Sequence, residues 1–254
     1  MLKDALWSED RSYRNSSDDE PIEFYLDALT NSSRFDLLLG YFSSAAINVL
    51  SLGFAKFLHG DGRLRIIANN ILSTEDKNSV RDGMLNNVTE GLLDITNIKE
   101  IKASLDEYGR HFFECISWLI SNDRIDIIVI KPKDRKGISH YKSGVFFDGV
   151  DSVAFKSSCN FTAFGLLENL EELDAFLSWE NSRSSKLIKR QNEYFDKIFS
   201  GQADFVEYLS VDDIVIAIKD NFADKSYSEL LIDEADLLSK KIGYLRKPTL
   251  KKRI

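Results

Sequence analysis

Residues 138–172 read ISHYKSGVFFDGVDSVAFKSSCNFTAFGLLENLEE and hold the densest run of chemically capable side chains in the chain. Ile138 to Phe147 and Ser152 to Lys156 read as two short strands, split by the turn pair Asp148-Gly149. On one strand, a period of two points His140 and Lys142 to the same face. A neutral imidazole can attack phosphorus, and an ammonium beside it can balance charge on the equatorial oxygens. Ser158 and Asn160, two apart after the second strand, can share a face and donate hydrogen bonds to phosphate oxygens. Each of these residues also has a plainer reading. An H-x-K pair arises readily from composition, Ser158 and Asn160 suit a turn or helix cap before Phe161, and Glu171 alone suits a solvated helix.

Working outward, apolar runs of strand length occur at FDLLLGYF (35–42), LRIIANNI (64–71) and RIDIIVI (124–130), the last closed by Pro132. Between them the spacing predicts helices. One runs over Pro21–Leu29, with Ile22, Tyr25, Leu26 and Leu29 on one side, and one runs through Leu58 to a turn at Gly60-Asp61-Gly62. Another spans residues 98–121, and Ser73 or Thr74 suits a helix cap. Residues 1–20 are polar and are expected to be poorly ordered. From Glu180 onward helical periodicity dominates, over 184–199, 210–222 and 227–241. The expectation is an α/β domain over residues 1–180 and a helical C-terminal region over 181–254 that serves as linker or partner contact.

Composition narrows the classes. A 43% hydrophobic and 29% charged chain of 254 residues suits one substantial domain plus a helical extension. The start MLKDALWSED has no apolar core, and no run reaches the roughly eighteen residues a membrane span needs, so a cytoplasmic protein is expected. Cys115 and Cys159 are too few for a disulfide scaffold. No metal-ligand spacing is visible, so neither a metal nor another cofactor is expected. A net charge of −8 argues against non-specific coating of nucleic acid but leaves room for a local basic groove. Basic residues cluster at Lys131, Lys133, Arg135 and Lys136, and at Arg246, Lys247, Lys251, Lys252 and Arg253; both clusters read equally well as solvated loops or tails.

The order His140-Tyr141-Lys142, then Ser158-Cys159-Asn160, resembles the H-x-K … S-x-N signature of the phospholipase D superfamily. Thr162, Gly165, Leu166, Asn169 and Glu171 extend the likeness. They bring it close to the branch of metal-independent restriction endonucleases and defence-helicase nuclease domains. The resemblance covers about residues 21–180. It implies an α/β fold with a mixed sheet flanked by helices, and a nuclease that cuts DNA, with RNA not excluded, in restriction or anti-phage defence. It further implies a covalent phosphohistidine, catalytic roles for His140, Lys142, Ser158, Asn160 and Glu171, and a homodimer that brings two copies of His140 to one site. A helicase or ATPase, fused or separate, is the partner it suggests. A non-catalytic nucleic-acid-binding module of such a complex remains the alternative. Two departures stand out. The broad superfamily carries an Asp where this chain has Phe147, with Asp148 one step off, so the resemblance gives that role to Glu171. And Leu166, Leu167, Leu170, Leu173, Phe176 and Leu177 have helical spacing, whereas the family places this segment on a strand; the strand is expected here, because only then does Glu171 reach the site.

Overall fold

The computed structural model describes residues 1–14, 17–39, 42–43, 52–69, 92–93, 98–133, 142–157, 172–222 and 224–245. Its centre is an eight-stranded mixed sheet. The strands are β1 (Ser12–Arg14), β2 (Arg34–Leu39), β4 (Arg63–Asn69), β6 (Ile125–Pro132), β7 (Lys142–Phe147), β8 (Ser152–Ser157), β9 (Glu172–Leu177) and β10 (Val206–Leu209). Their order across the sheet is β1-β9-β8-β7-β2-β4-β6-β10. The short strands β3 (Phe42–Ser43) and β5 (Leu92–Leu93) pair with each other separately. β2, β4 and β6 run parallel, and every other neighbour in the large sheet is antiparallel. The helices are α1 (Pro21–Thr30), α2 (Phe54–His59), α3 (Ile98–Ser104), α4 (Glu107–Ser121), α5 (Ser182–Phe199), α6 (Asp212–Asn221) and α7 (Tyr227–Leu245). The α/β class and the helix-flanked mixed sheet are as expected.

The apolar runs of the sequence are continuous because both faces of the central strands are covered. On β2, Phe35, Leu37 and Leu39 join one core, as Leu64, Ile66 and Ala68 do on β4, while Leu38 and Ile67 join the other. The first core is aromatic. Phe35 stacks on Phe146 with centroids 4.0 Å apart, and Phe24 meets Phe146 and Phe155 edge-on. Each such ring, fully buried, contributes about 1.5–3 kcal/mol. The second core is closed by Ile188, Phe195 and Ile198 of α5. On that side Asp36 is 0% exposed, and register places it beside Arg65, whose Nε donates to it at 2.6 Å. Asp196 of α5 completes the pairing from above, accepting from Arg65 Nη1 at 3.0 Å.

Several expectations need correction. The N-terminus is part of the fold: Leu2–Asp4 form a 3-10 turn, β1 adds an edge strand, and Leu2 and Tyr13 are buried. The polarity of residues 1–20 hid two anchors spaced too far apart to read as a pattern. α1 turns Phe24, Tyr25, Ala28 and Leu29 inward, whereas Ile22 and Leu26 are only half-buried, because the aromatic core accepts Phe24. Residues 98–121 form two helices, since the Asp106 carboxylate accepts from Gly109 N at 2.8 Å and starts a new one. Of the run 35–42, the residues through Leu39 belong to β2 and Phe42 to β3, which pairs outside the large sheet. Beyond residue 180 the chain is not all helix: β10 pairs with β6, α5 packs on β7, β8 and β9, and α7 packs on α2 and α4. Glu172–Leu177, by contrast, is a strand as the resemblance implies, against its helical spacing. Leu173, Ala175 and Leu177 alternate inward there, and cross-strand pairing with β8 overrides the local period.

Candidate functional site

Register brings one end of each central strand together. Leu39, the last residue of β2, pairs with Lys142, the first of β7, and with Ala68 near the end of β4. Asn69 closes β4 beside Ile130 of β6. Ser143 sits opposite Lys156, and Ser157, the last residue of β8, sits opposite Leu173, the second of β9. The carboxyl ends of the three parallel strands and of β8 therefore lie at the same sheet end as the amino ends of β7 and β9. Open α/β sheets bind their ligands outside the carboxyl ends of the parallel strands.

The sequence candidates attach to this end. The chain enters β7 two residues after His140, leaves β8 one residue before Ser158, and enters β9 one residue after Glu171. His140, Ser158, Asn160 and Glu171 themselves, and the side chain of Lys142, lie outside the described residues. So do Thr162, Gly165, Leu166 and Asn169, and Ser73 and Thr74.

The described residues around this end are held firmly. Gly144, two positions into β7 from Lys142, sits where a Cβ would lie 2.5 Å from Phe155 Cε1 and 2.8 Å from the Asp36 carbonyl oxygen. Only glycine lets β7 approach its neighbours so closely. The Gly144 carbonyl in turn accepts from Gln191 Nε2 of α5 at 3.4 Å. Ser157 Oγ donates to the Glu172 carbonyl at 3.2 Å, tying β8 to β9 where they leave for the candidate segment. Across the sheet edge, Arg14 of β1 donates to Glu172 Oε1 through Nε at 3.1 Å, which raises the Arg14 pKa further. Arg14 was not singled out from sequence, because nothing in residues 1–20 signals that β1 pairs beside Glu172. Of the basic cluster, Lys131 Nζ lies 2.7 Å from Glu207, so its charge is already matched, and Lys133 is exposed. Arg135, Lys136 and residues 246–253 fall outside the described residues.

The remaining candidates separate cleanly. Asp148 lies in the turn at the opposite end of β7, so residues 143–147 of that strand stand between it and Lys142, roughly 20 Å at strand rise. There its carboxylate accepts from the backbone N–H of Leu2 at 2.8 Å, Val150 at 2.9 Å and Asp151 at 2.7 Å. Burial pushes its pKa upward, but these backbone donors outweigh it and hold the carboxyl below its ordinary value. Phe147 packs under the Arg34 guanidinium at 4.9 Å. Neither belongs to the strand end with the candidate residues. His59 stacks on Tyr227, and His111 is buried between α4 and α7. Among the described residues no helix is long and apolar enough to cross a membrane.

No family model and no curated protein matches this sequence. Solved structures do resemble it. The phosphatidylserine synthase of Haemophilus influenzae Rd KW20 aligns with a TM-score of 0.50 at 12% identity, over 91% of this chain and 46% of that one. This chain thus spans about half the length of that structure, and the likeness is one of fold. Nuc of Salmonella typhimurium, described as a phospholipase D family member, aligns at a TM-score of 0.42 and 12% identity, covering 78% of this chain and 95% of that one. NucT of Helicobacter pylori aligns at 0.40 and 12%, covering 70% and 87%.

Proposed function

We propose that this chain is a phosphodiesterase of the phospholipase D type that hydrolyses nucleic acid, DNA in the first instance, without a metal ion in the reaction. The observation that carries the reading is the meeting of strand ends: three successive segments separated by the strands β7 and β8, bearing His140 and Lys142, Ser158 and Asn160, and Glu171, all attach to one end of one sheet. Their order matches the signature that the sequence resembles.

In this reading a His140 imidazole attacks phosphorus, forming a P–N bond as the P–O bond to the leaving oxygen breaks. A second His140, from a second copy of the chain, gives its proton to that oxygen. Water then attacks the phosphohistidine, and the second imidazole, now neutral, takes the water proton. The P–N bond breaks and the first imidazole is restored. Lys142, Ser158 and Asn160 bind the non-bridging oxygens, where loss of each donor costs on the order of 10²–10³ in rate. Glu171 orients the site. A role in restriction or defence, and a helicase or ATPase partner, follow from the same resemblance.

The test is cleavage of plasmid, single-stranded DNA, RNA and phospholipid vesicles in the presence of EDTA, by the native chain and by His140→Ala. Cleavage of nucleic acid by the native chain alone, with matching melting curves, supports the reading. Retained cleavage in the variant ends it, as does an absolute need for magnesium. Binding of nucleic acid without any cleavage would favour the non-catalytic module instead.

A further inference from the structure

α4 and α7 pack against each other beside an open polar cleft of about 210 Å³, lined in part by His111, Glu114, Asp233 and Lys225. His111 and Glu114 stand one helical turn apart on α4, and Asp233 comes from α7. A ring nitrogen of His111 and one carboxylate oxygen from each acid all lie within 4.8 Å of one another. An imidazole and a carboxylate three apart on one helix, faced by an acid from a second helix, is a recurring way to build a metal site inside a bundle.

Acids grouped in this way are common without an ion, so the histidine decides the matter. His111 is 2% exposed, and its Nδ1 is buried with no hydrogen-bond partner among the described residues. Its other nitrogen, Nε2, lies 3.6 Å from Glu234 Oε2. Glu234 is itself fixed, accepting from the Ala55 backbone N–H at 2.6 Å. At this distance Glu234 makes a charge contact and not a hydrogen bond, and its charge on the Nε2 side favours the ring proton there, with the lone pair on Nδ1. Histidines that bind metals commonly have a carboxylate on that side. The thiol of Cys115, 3.6 Å from Nε2, is pushed well above its ordinary pKa by burial and stays protonated.

A cation already sits against the two acids: Lys225 Nζ is 2.7 Å from both Glu114 and Asp233. We propose that His111, through Nδ1, with Glu114 and Asp233 forms a binding site for a divalent transition-metal ion of the zinc type. The ion competes with the Lys225 ammonium and cross-links α4 to α7. A nitrogen and carboxylate donor set suits zinc, and calcium or magnesium would favour oxygen alone. The site is separate from the proposed hydrolytic chemistry, so its test does not depend on cleavage.

The experiment uses the full chain, freed of metal by chelator and dialysis, titrated with zinc by calorimetry and with cobalt by visible absorption. One equivalent should bind, with a nitrogen-containing ligand field. Asp233→Asn, at a partly exposed position, should weaken binding at least about 10–100-fold. Lys225→Met should tighten it about tenfold or more by removing the competing charge. A salt bridge without metal function predicts the reverse pattern: Lys225→Met would lose stability and gain no affinity for zinc. The proposal is overturned if neither the native chain nor Lys225→Met takes up zinc, or if Asp233→Asn binds it as tightly as the native chain.

Discussion

Along the sheet end defined by Arg34, Arg63, Ile125 and Phe147, residues 31–33, 60–62, 122–124 and 148–151 suffice to pass from one element to the next. At the opposite end, residues 70–91, 133–141 and 158–171 separate one described strand from the following one. The compact end is stitched by backbone hydrogen bonds: Ser33 N donates to the Phe147 carbonyl, Arg63 N to Ser33 and Leu64 N to Arg124, all within 3.0 Å. Arg124 adds side-chain bonds to the Gly62 and Leu58 carbonyls. The other end receives the segments that carry every candidate catalytic residue. The difference teaches a division of labour seen in α/β proteins generally, in which connections at one end support the fold and those at the other carry the chemistry. Substitutions at the two ends should therefore move different observables.

The largest effect is expected at the long-connection end. His140→Ala should remove detectable cleavage, and Lys142→Ala should slow it on the order of 10²–10³-fold, both with melting temperatures at the native value. If either variant unfolds at lower temperature in proportion to its loss of activity, the division between the ends fails. Next comes the buried pair that joins the sheet to α5. Asp36 is fully buried, and Arg65 is its bidentate partner. Arg34 Nε lies 3.4 Å away without forming a hydrogen bond. Arg65→Leu strands a buried carboxylate and should cost about 3–5 kcal/mol of stability by urea denaturation. Replacing both partners with leucine should recover most of that loss. No recovery in the double variant would mean that the pair is cemented by more than mutual compensation.

Gly144 sharpens the comparison, because it lies on β7 near the candidate end yet acts through packing. Gly144→Ala drives a methyl into Phe155 and the Asp36 carbonyl and should cost about 1–3 kcal/mol. Since β7 delivers Lys142 to the sheet end, this variant should lower both stability and cleavage. Unchanged stability would show that Phe155 can give way.

How much of this was legible follows from which signals are local. β2, β4, β6, β7 and β8 could be read from apolar runs and turn residues; both faces of β2 are buried along most of its length, and even the half-buried Ile125, Ile127 and Ile128 of β6 keep the run apolar. α1, α5, α6 and α7 could be read from their periodicity. β9 could not be read from its local pattern, since Leu173 and Leu177 fit a helical spacing as well as they fit alternation; the resemblance alone pointed to a strand, and pairing with β8 makes it one. β1 and β10 are edge strands of three and four residues, too short to show a period. The candidate site was legible as residue types in order. That Lys142 and Ser157 share a sheet end follows from the hairpin turn at Asp148-Gly149, but that Glu172 joins them depends on the pairing of β8 with β9, which no local pattern encodes. The group of His111, Glu114 and Asp233 was missed because α4 and α7 are more than a hundred residues apart, so no ligand spacing links them.

The smallest effect belongs to Asp148, whose adjacency to the H-x-K pair in sequence is misleading. Its carboxylate closes the β7–β8 turn and holds the Leu2 N–H, so it anchors the N-terminal segment at the compact end. Its pKa in the folded chain lies below the ordinary value, so the charged form stabilises the fold. That contribution is complete above the unfolded pKa of about 4 and fades as pH falls through the lower folded value. Asp148→Asn keeps an acceptor but loses the charge, and should cost about 1 kcal/mol at neutral pH. Melting curves of the two proteins should converge as the pH drops below about 4, because protonated Asp148 then resembles the amide. Cleavage by the variant should stay at the native rate. A gap in stability that holds constant down to acid pH would mean that shape, and not charge, fixes this corner, and a loss of cleavage would return Asp148 to the active site.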